Sequence, residues 1–125
     1  MSTTSKSLTS LDVRTTATIA VSTVETSSAV SVNTLVGASV VGKITNPGTF
    51  STNAATFTMQ YRYKSAGTLY NIGPFTAGVA VSTAYEFAVS IPDGAYEIVC
   101  VFENTDGTYL PTAECHGAGL ELSTV

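Results

Sequence analysis

Alternation of apolar and polar side chains at every second residue is the feature that most constrains the fold of this chain. It is most regular over residues 56 to 64, where Phe57, Met59, Tyr61 and Tyr63 alternate with Thr56, Thr58, Gln60, Arg62 and Lys64. Successive side chains of a strand point to opposite faces, so this pattern predicts a strand with one buried face. It also predicts that all the apolar side chains of this segment, including Tyr63, point inward.

The same alternation predicts further strands along the chain. They cover residues 11 to 22, 30 to 36, 84 to 91 and 95 to 103, with shorter candidates at 38 to 45, 68 to 72, 108 to 114 and 119 to 123. Pro111 favours an edge position for its segment, because proline cannot donate a ladder hydrogen bond. No window of ten or more residues shows the apolar spacing of an amphipathic helix without Gly, Pro or a β-branched run.

Turn-forming residues separate these segments at short intervals. They occur at Asn46-Pro47-Gly48, Ser65-Ala66-Gly67, Gly73-Pro74, Pro92-Asp93-Gly94 and Asn104-Thr105-Asp106-Gly107. Parallel strands would need long crossover connections, usually helices. The sequence therefore predicts an all-β fold, an antiparallel β-sandwich of seven to nine short strands that is immunoglobulin-like or related.

The length of 125 residues fits one domain, which we place at residues 11–125. Residues 1–10 are rich in Ser and Thr and contain one large apolar residue, Leu8. They predict a flexible N-terminal arm, or an arm that becomes ordered against a neighbouring subunit. They lack the apolar stretch of a secretory signal, so we expect a chain made in the cytoplasm.

Low charge is the main compositional constraint on function. Charged residues make up 11% of the chain and the formal net charge is −4, whereas about a quarter of residues are charged in an average domain. Nucleic-acid binding requires clustered Lys and Arg, so it is not expected. No segment is apolar enough to predict a membrane span, and we expect no membrane partner.

The reactive side chains do not form a recognisable catalytic or metal-binding pattern. His116 is the one histidine, and a Ser-His-acid site would need it as the base. Cys115 precedes it directly, and neighbouring side chains of an extended segment point to opposite faces. Cys100, Cys115 and His116 are one ligand short of a closed zinc site. We therefore expect no enzyme activity, cofactor or metal.

The two cysteines and the acidic turn residues have structural interpretations. Cys100 and Cys115 could form one disulfide, but without an export signal we favour two free thiols. Cys100 shares the apolar positions of its strand, so it is expected to be buried. Asp93 and Asp106 each precede a glycine and are interpreted as turn formers.

Some apolar residues are candidates for contact with other molecules. Val99 and Val101 make the second face of their strand apolar, which predicts a central strand, a covered outer face or a contact surface. With Leu8 they form the predicted interface. Tyr70 and Tyr109 lie near turns, where exposed rings could stack on a sugar.

The stretch Phe87-Ala-Val-Ser-Ile-Pro-Asp-Gly-Ala-Tyr-Glu-Ile-Val-Cys-Val-Phe resembles the late strands of bacterial and phage immunoglobulin-like domains. There, an acidic residue and a glycine precede a tyrosine at the corner between two strands. The resemblance implies that Tyr96 is a structural corner residue. Cys100 follows it by four positions rather than two, and no Trp is present, so the inter-sheet disulfide of antibody domains is not implied.

In overall character the chain resembles small virion proteins of tailed bacteriophages, especially capsid decoration or cement proteins. The resemblance rests on its short, acidic, Thr/Ser/Ala/Val/Gly-rich sequence and polar N-terminal arm. It implies a non-enzymatic virion protein that forms oligomers and binds the major capsid protein or other virion proteins, stabilising the capsid lattice. The alternatives are a carbohydrate- or receptor-binding module of a tail or surface adhesin and, ranked last, a small hydrolase that depends on His116.

Overall fold

The structure is a computed structural model that describes residues 4–49 and 53–124. Within these ranges it contains nine strands and no helix; the strands are β1 (Thr4–Thr18), β2 (Thr23–Thr26), β3 (Val30–Ser31), β4 (Leu35–Thr45), β5 (Thr56–Arg62), β6 (Tyr70–Thr76), β7 (Ala84–Ser90), β8 (Glu97–Asn104) and β9 (Thr112–Thr124). The paired strands are antiparallel. The predicted all-β antiparallel sandwich is confirmed.

Two sheets form the sandwich. The front sheet has the order β1-β9-β4-β7, and the back sheet has the order β2-β8-β5-β6 with β3 also paired to β8. Since β2 and β3 pair with the same strand, they act as one interrupted strand. The resulting order is that of a jelly roll. In an immunoglobulin-like sandwich the first strand pairs with the second, whereas here β1 pairs with the last strand. The chain is therefore a related β-sandwich, which the prediction allowed, with a different strand order.

Several predicted strand limits also change. The segment predicted at 30 to 36 is interrupted between β3 and β4, and Gly73-Pro74 lies inside β6 with a cis peptide bond rather than in a turn. The two candidates at 108 to 114 and 119 to 123 form one strand, β9, which lies between β1 and β4. The edge position expected from Pro111 is therefore wrong. Pro111 precedes β9, and its carbonyl accepts a hydrogen bond from the Ile19 backbone N–H at 2.9 Å.

The core lies between the inward faces of the sheets. Phe57 on β5 is fully buried, with ring-centroid distances of 5.1 Å to Phe102 and 6.4 Å to Phe87. Opposite it, Gly42 on β4 leaves room for the ring, because a Cβ there would lie 2.6 Å from two Phe57 ring carbons. Alternation thus predicted the inward set correctly for Phe57, Met59, Ile98, Cys100 and Phe102.

The predicted boundary between an arm and a domain at residue 11 does not coincide with the end of a strand. β1 runs through it, and residues 4 to 10 pair with residues 118 to 124 of β9. Residues 1 to 3 lie outside the described part of the chain. The mobility expected for residues 1–10 stays a prediction. Within the described residues, no helix is long and apolar enough to span a membrane.

Candidate functional site

The residues predicted to form an interface occupy different environments. β8 lies between β2/β3 and β5, so the prediction of a central strand is confirmed. Val99 is 9% exposed and Val101 is half-buried on this strand. Leu8, on β1 of the front sheet, is 72% exposed. Of the three, Leu8 therefore presents the large apolar surface.

Leu8 belongs to a row of exposed apolar side chains on the outer face of the front sheet. It pairs with Leu120 of β9, which also pairs with Val36 of β4. Leu120 is 37% exposed and Val36 is 38% exposed. Directly paired residues share one face of a sheet, so these three side chains form a continuous apolar row across β1, β9 and β4.

The apolar row reaches an open edge of the sheet. β1 has β9 on one side and no strand on the other within the described residues. From Thr4 to Asp12 its pairing with β9 is regular, and the register shifts begin only after Asp12. A long, regular edge carries unpaired backbone donors and acceptors that can pair with another strand.

A polar cluster lies farther along the same outer face. His116 Nδ1 lies 2.9 Å from Asp12 Oδ1, and His116 Nε2 lies 3.5 Å from Glu114 Oε2. A hydrogen bond from the Thr16 hydroxyl, followed by His116 and Lys43, lowers the pKa of Glu114. Both imidazole nitrogens therefore lie beside carboxylates, whereas a nucleophilic triad has one of them hydrogen-bonded to the nucleophile.

The side chains of the cluster are not arranged as a metal centre. Among the residues that the structure describes, no three His, Cys, Asp or Glu groups come together to hold a metal ion. Cys100 and Cys115 are buried free thiols. They therefore do not take part in this surface cluster. The cluster is a group of paired surface charges. It includes an ion pair between Lys43 Nζ and Glu114 Oε1 at 3.7 Å.

A second surface feature is a pocket beside three tyrosines. The pocket has a volume of about 310 Å³ and is lined by Tyr63, Lys64, Gly67, Thr68 and Tyr70. The rings of Tyr63 and Tyr70 lie 5.9 Å apart, and each lies 5.6 Å from the ring of Tyr61. Burial, followed by the neighbouring Tyr63 and Tyr70, raises the pKa of Tyr61.

The position of Tyr63 corrects the sequence prediction. Alternation placed it inward, but it is 53% exposed. The physical reason is that β5 ends at Arg62, so the alternation of faces stops one residue before Tyr63. Tyr70, predicted to be exposed, is 47% exposed and lies at the start of β6.

The two other tyrosines singled out by the sequence lie elsewhere. Tyr109 is half-buried in the loop before β9, where its backbone N–H donates to Asp106 Oδ1 at 2.9 Å. Tyr96 is half-buried just before β8, and its backbone N–H donates to the Arg62 carbonyl at 2.7 Å. Its carbonyl accepts from the Val32 N–H at 3.0 Å. This backbone position links three segments of the back sheet, while the role of the Tyr96 side chain stays a prediction.

Sequence reasoning missed several residues of both surfaces. Leu120 and Val36 join Leu8 only through strand register, which depends on a pairing between the two ends of the chain. Lys64 and Thr68 join the tyrosines through the turn between β5 and β6, where the Gly67 N–H donates to the Lys64 carbonyl at 3.0 Å. The Ser65-Ala66-Gly67 turn was the available signal for this second group.

Comparisons with known proteins add little to this geometry. No protein-family model matches the sequence, and no curated protein matches it. Among solved structures, the chain is similar to one from Bacillus endospore appendages, described as a novel family of disulfide-linked pili. The likeness covers 97% of this chain and 89% of that chain, with 15% sequence identity and a TM-score of 0.46. Nothing about function follows from a likeness of this degree.

Proposed function

We propose that this chain is a non-enzymatic structural protein that associates with copies of itself through the outer face of its front sheet. The observation that carries the proposal is the apolar row of Leu8, Leu120 and Val36, which lies in register on three adjacent strands and reaches the open edge at β1. Contiguous exposed apolar side chains are typical of protein contact sites, because burying them against a partner removes apolar area from water.

The charge distribution supports the same proposal. Ser10, Ala118 and Ser39 follow the apolar row across the same three strands, between it and the charged cluster at His116. These small side chains allow close approach of a partner and carry no charge that would have to lose its water. Only 11% of the residues of the whole chain are charged. This low charge also favours burial of its surface against a partner.

The finer proposal is a decoration or cement protein on a bacteriophage capsid, located in the virion. It is supported by the resemblance in composition and by the exposed apolar row of the front sheet. Jelly rolls occur in viral capsid proteins and also in lectins, so the fold is compatible with this role without selecting it. Mass spectrometry of purified particles tests it, with this chain expected among their proteins. Its absence from the particles would remove the capsid role.

Sedimentation velocity over a range of concentrations tests self-association. The wild-type chain is expected to form oligomers, and Leu8→Lys is expected to weaken them at least tenfold, because a charge at the buried contact costs on the order of a few kcal/mol. Val24→Lys is the matched control, since Val24 is 54% exposed on β2 of the back sheet. Equal weakening by both variants would contradict the assignment of the face.

A second candidate function is glycan binding at the tyrosine pocket. Exposed aromatic rings can stack on the apolar faces of sugars, and Lys64 and Thr68 add hydrogen-bond donors beside Tyr63 and Tyr70. The volume of about 310 Å³ is near the lower limit for small-molecule sites. Glycan binding at this pocket would agree with the carbohydrate- or receptor-binding alternative derived from the sequence.

Glycan-array binding tests this second candidate. Tyr63→Ala and Tyr70→Ala are each expected to abolish binding to any glycan that the wild-type chain retains. Tyr109→Ala is the control, because that ring lies outside the pocket. An array without any bound glycan, or binding that survives both pocket variants, would exclude the candidate.

A further inference from the structure

Lys64, in the turn between β5 and β6, carries a positive charge that no carboxylate compensates. It is one of four basic residues from Arg14 onward. The other three form ion pairs with glutamates, and these are the pairs Arg14–Glu25, Lys43–Glu114 and Arg62–Glu97. Lys64 forms no ion pair with any residue that the structure describes. From Arg14 onward it is therefore the one uncompensated cation among the described side chains.

The surroundings of the tyrosine pocket leave this charge available to a ligand. Of the five residues that line the pocket, Lys64 is the basic one and none is acidic. The chain as a whole has a formal net charge of −4. A dissolved anion is therefore repelled by the molecule in general and attracted where a positive charge has no partner.

The turn holds the lysine beside the rings. The Gly67 backbone N–H donates to the Lys64 carbonyl at 3.0 Å, which brings Gly67 back over the lysine. A Cβ at Gly67 would lie 2.8 Å from Lys64 Cγ, so the lysine stem packs directly against the glycine. Tyr63 precedes Lys64 and Tyr70 begins β6, and their rings lie 5.9 Å apart. One cation and two exposed rings thus surround the same pocket.

We propose that the tyrosine pocket binds an acidic sugar, whose ring stacks on Tyr63 and Tyr70 and whose single negatively charged group, a carboxylate or a sulfate ester, pairs with Lys64. The proposal rests on the second candidate function, glycan binding, and names the class of glycan. It is independent of self-association, because the pocket lies beside β5 and β6 of the back sheet and the apolar row lies on the front sheet.

The pocket offers different groups to the two parts of such a ligand. The tyrosine rings present apolar faces to the sugar ring, whereas a lysine ammonium presents a full charge and three hydrogen-bond donors to an anion. A neutral sugar would use the rings and the Thr68 hydroxyl and leave Lys64 to water. The acidic sugar gains one exposed ion pair, which corresponds to an affinity about two- to fivefold higher.

NMR chemical-shift titration of the full-length chain with two matched pairs of sugars tests the proposal. The first pair is tetragalacturonate and its methyl ester, and the second is 3′-sulfated lactose and lactose. The two members of a pair share their sugar rings and differ in charge. At least one acidic member is expected to bind about two- to fivefold more tightly than its neutral partner. A preference in the first pair identifies a carboxylate as the charged group, and a preference in the second identifies a sulfate.

Lys64→Gln separates the charge from the rings. It is expected to bring the affinities of the acidic and neutral members together without weakening the neutral one, whereas Tyr70→Ala is expected to abolish binding of both. Lys43→Gln is the matched control, because it changes the net charge of the chain equally but acts on an ion pair of the front sheet. The wild-type preference is expected to persist in this control.

The outcomes distinguish this proposal from the candidate function on which it rests. Neutral members that bind as tightly as their acidic partners would overturn the acidic ligand and leave glycan binding in place. A preference that survives in Lys64→Gln, or that Lys43→Gln removes equally, would do the same. Binding of neither acidic member would also overturn the proposal, and the glycan array then decides separately whether glycan binding stands.

Discussion

At the scale of single residues, the loop after β8 shows how a turn signal becomes a buried anchor. Asn104 is fully buried, and its Nδ2 donates to the carbonyls of Ile19 at 3.1 Å and Tyr109 at 3.0 Å. Its Oδ1 accepts from the Asp106 N–H at 2.9 Å. The sequence predicted turn formers here because Asn and Asp bond to nearby backbone groups. It could not predict their burial, which depends on Ile19 from a distant segment.

Replacing Asn104 with Ala is expected to lower the free energy of unfolding by about 2–4 kcal/mol, because buried backbone groups lose their partners. Urea unfolding measures the change. The control is Thr105→Ala, since Thr105 is the exposed neighbour and its replacement is expected to cost less than about 0.5 kcal/mol. Equal losses in the two variants would show that the side-chain network does not stabilise the loop.

A second residue-scale prediction concerns close backbone approach. A Cβ at Gly117 on β9 would lie 2.1 Å from the Ser39 backbone oxygen, whereas a Cβ at Gly107 would lie 3.9 Å from its nearest neighbour. Backbone of a central strand cannot move away easily, so Gly117→Ala is expected to cost about 2 kcal/mol or more of stability. Gly107→Ala is the matched control. A smaller loss for Gly117→Ala than for Gly107→Ala in urea unfolding would contradict the packing.

At the scale of strands, alternation identified most segments, because a half-buried strand leaves a local pattern. It could not identify their partners. β9 was expected at an edge, but pairing with β1 and β4 makes it interior, and the apolar row exists only in that register. The bulges of β1 were equally hidden, and one of them lets Arg14 turn toward the Phe102 ring, with its guanidinium carbon 5.4 Å from the centroid.

The contact of β1 with β2 makes stability depend on pH. Glu25 on β2 accepts from the Ala20 N–H at 3.0 Å and pairs with Arg14 of β1 at 2.8 Å. The Ala20 hydrogen bond, then the hydrogen bond and charge of Arg14, lower the pKa of Glu25 from 4.5 against an opposing effect of burial. A lowered pKa in the folded chain stabilises it above the unfolded value, and this contribution is lost as pH falls through the folded pKa.

Glu25→Gln is therefore expected to destabilise the chain near neutral pH and to differ less from wild type as the solution is acidified below about pH 4.5. Urea midpoints measured for both chains over a series of pH values test this. A difference that stays constant down to about pH 3 would contradict a role for the ionised carboxylate.

At the scale of the whole molecule, the front-sheet edge formed by β1 differs from the two edges of the back sheet. β2 is short, and β6 carries Gly73-Pro74 and a register shift opposite β5. Such features protect an edge from pairing with another chain. The regular first half of β1 lacks them. The edge at β1 is therefore suited to association, and a sequence without pairing information could indicate it only through Leu8.

Static light scattering of the purified full-length chain over a wide concentration range tests the central claim most directly, because it gives mass without reference to shape. If the front sheet associates with further copies, the mass will rise with concentration to a multiple of 12.9 kDa. A mass of 12.9 kDa at every concentration would contradict self-association through this face.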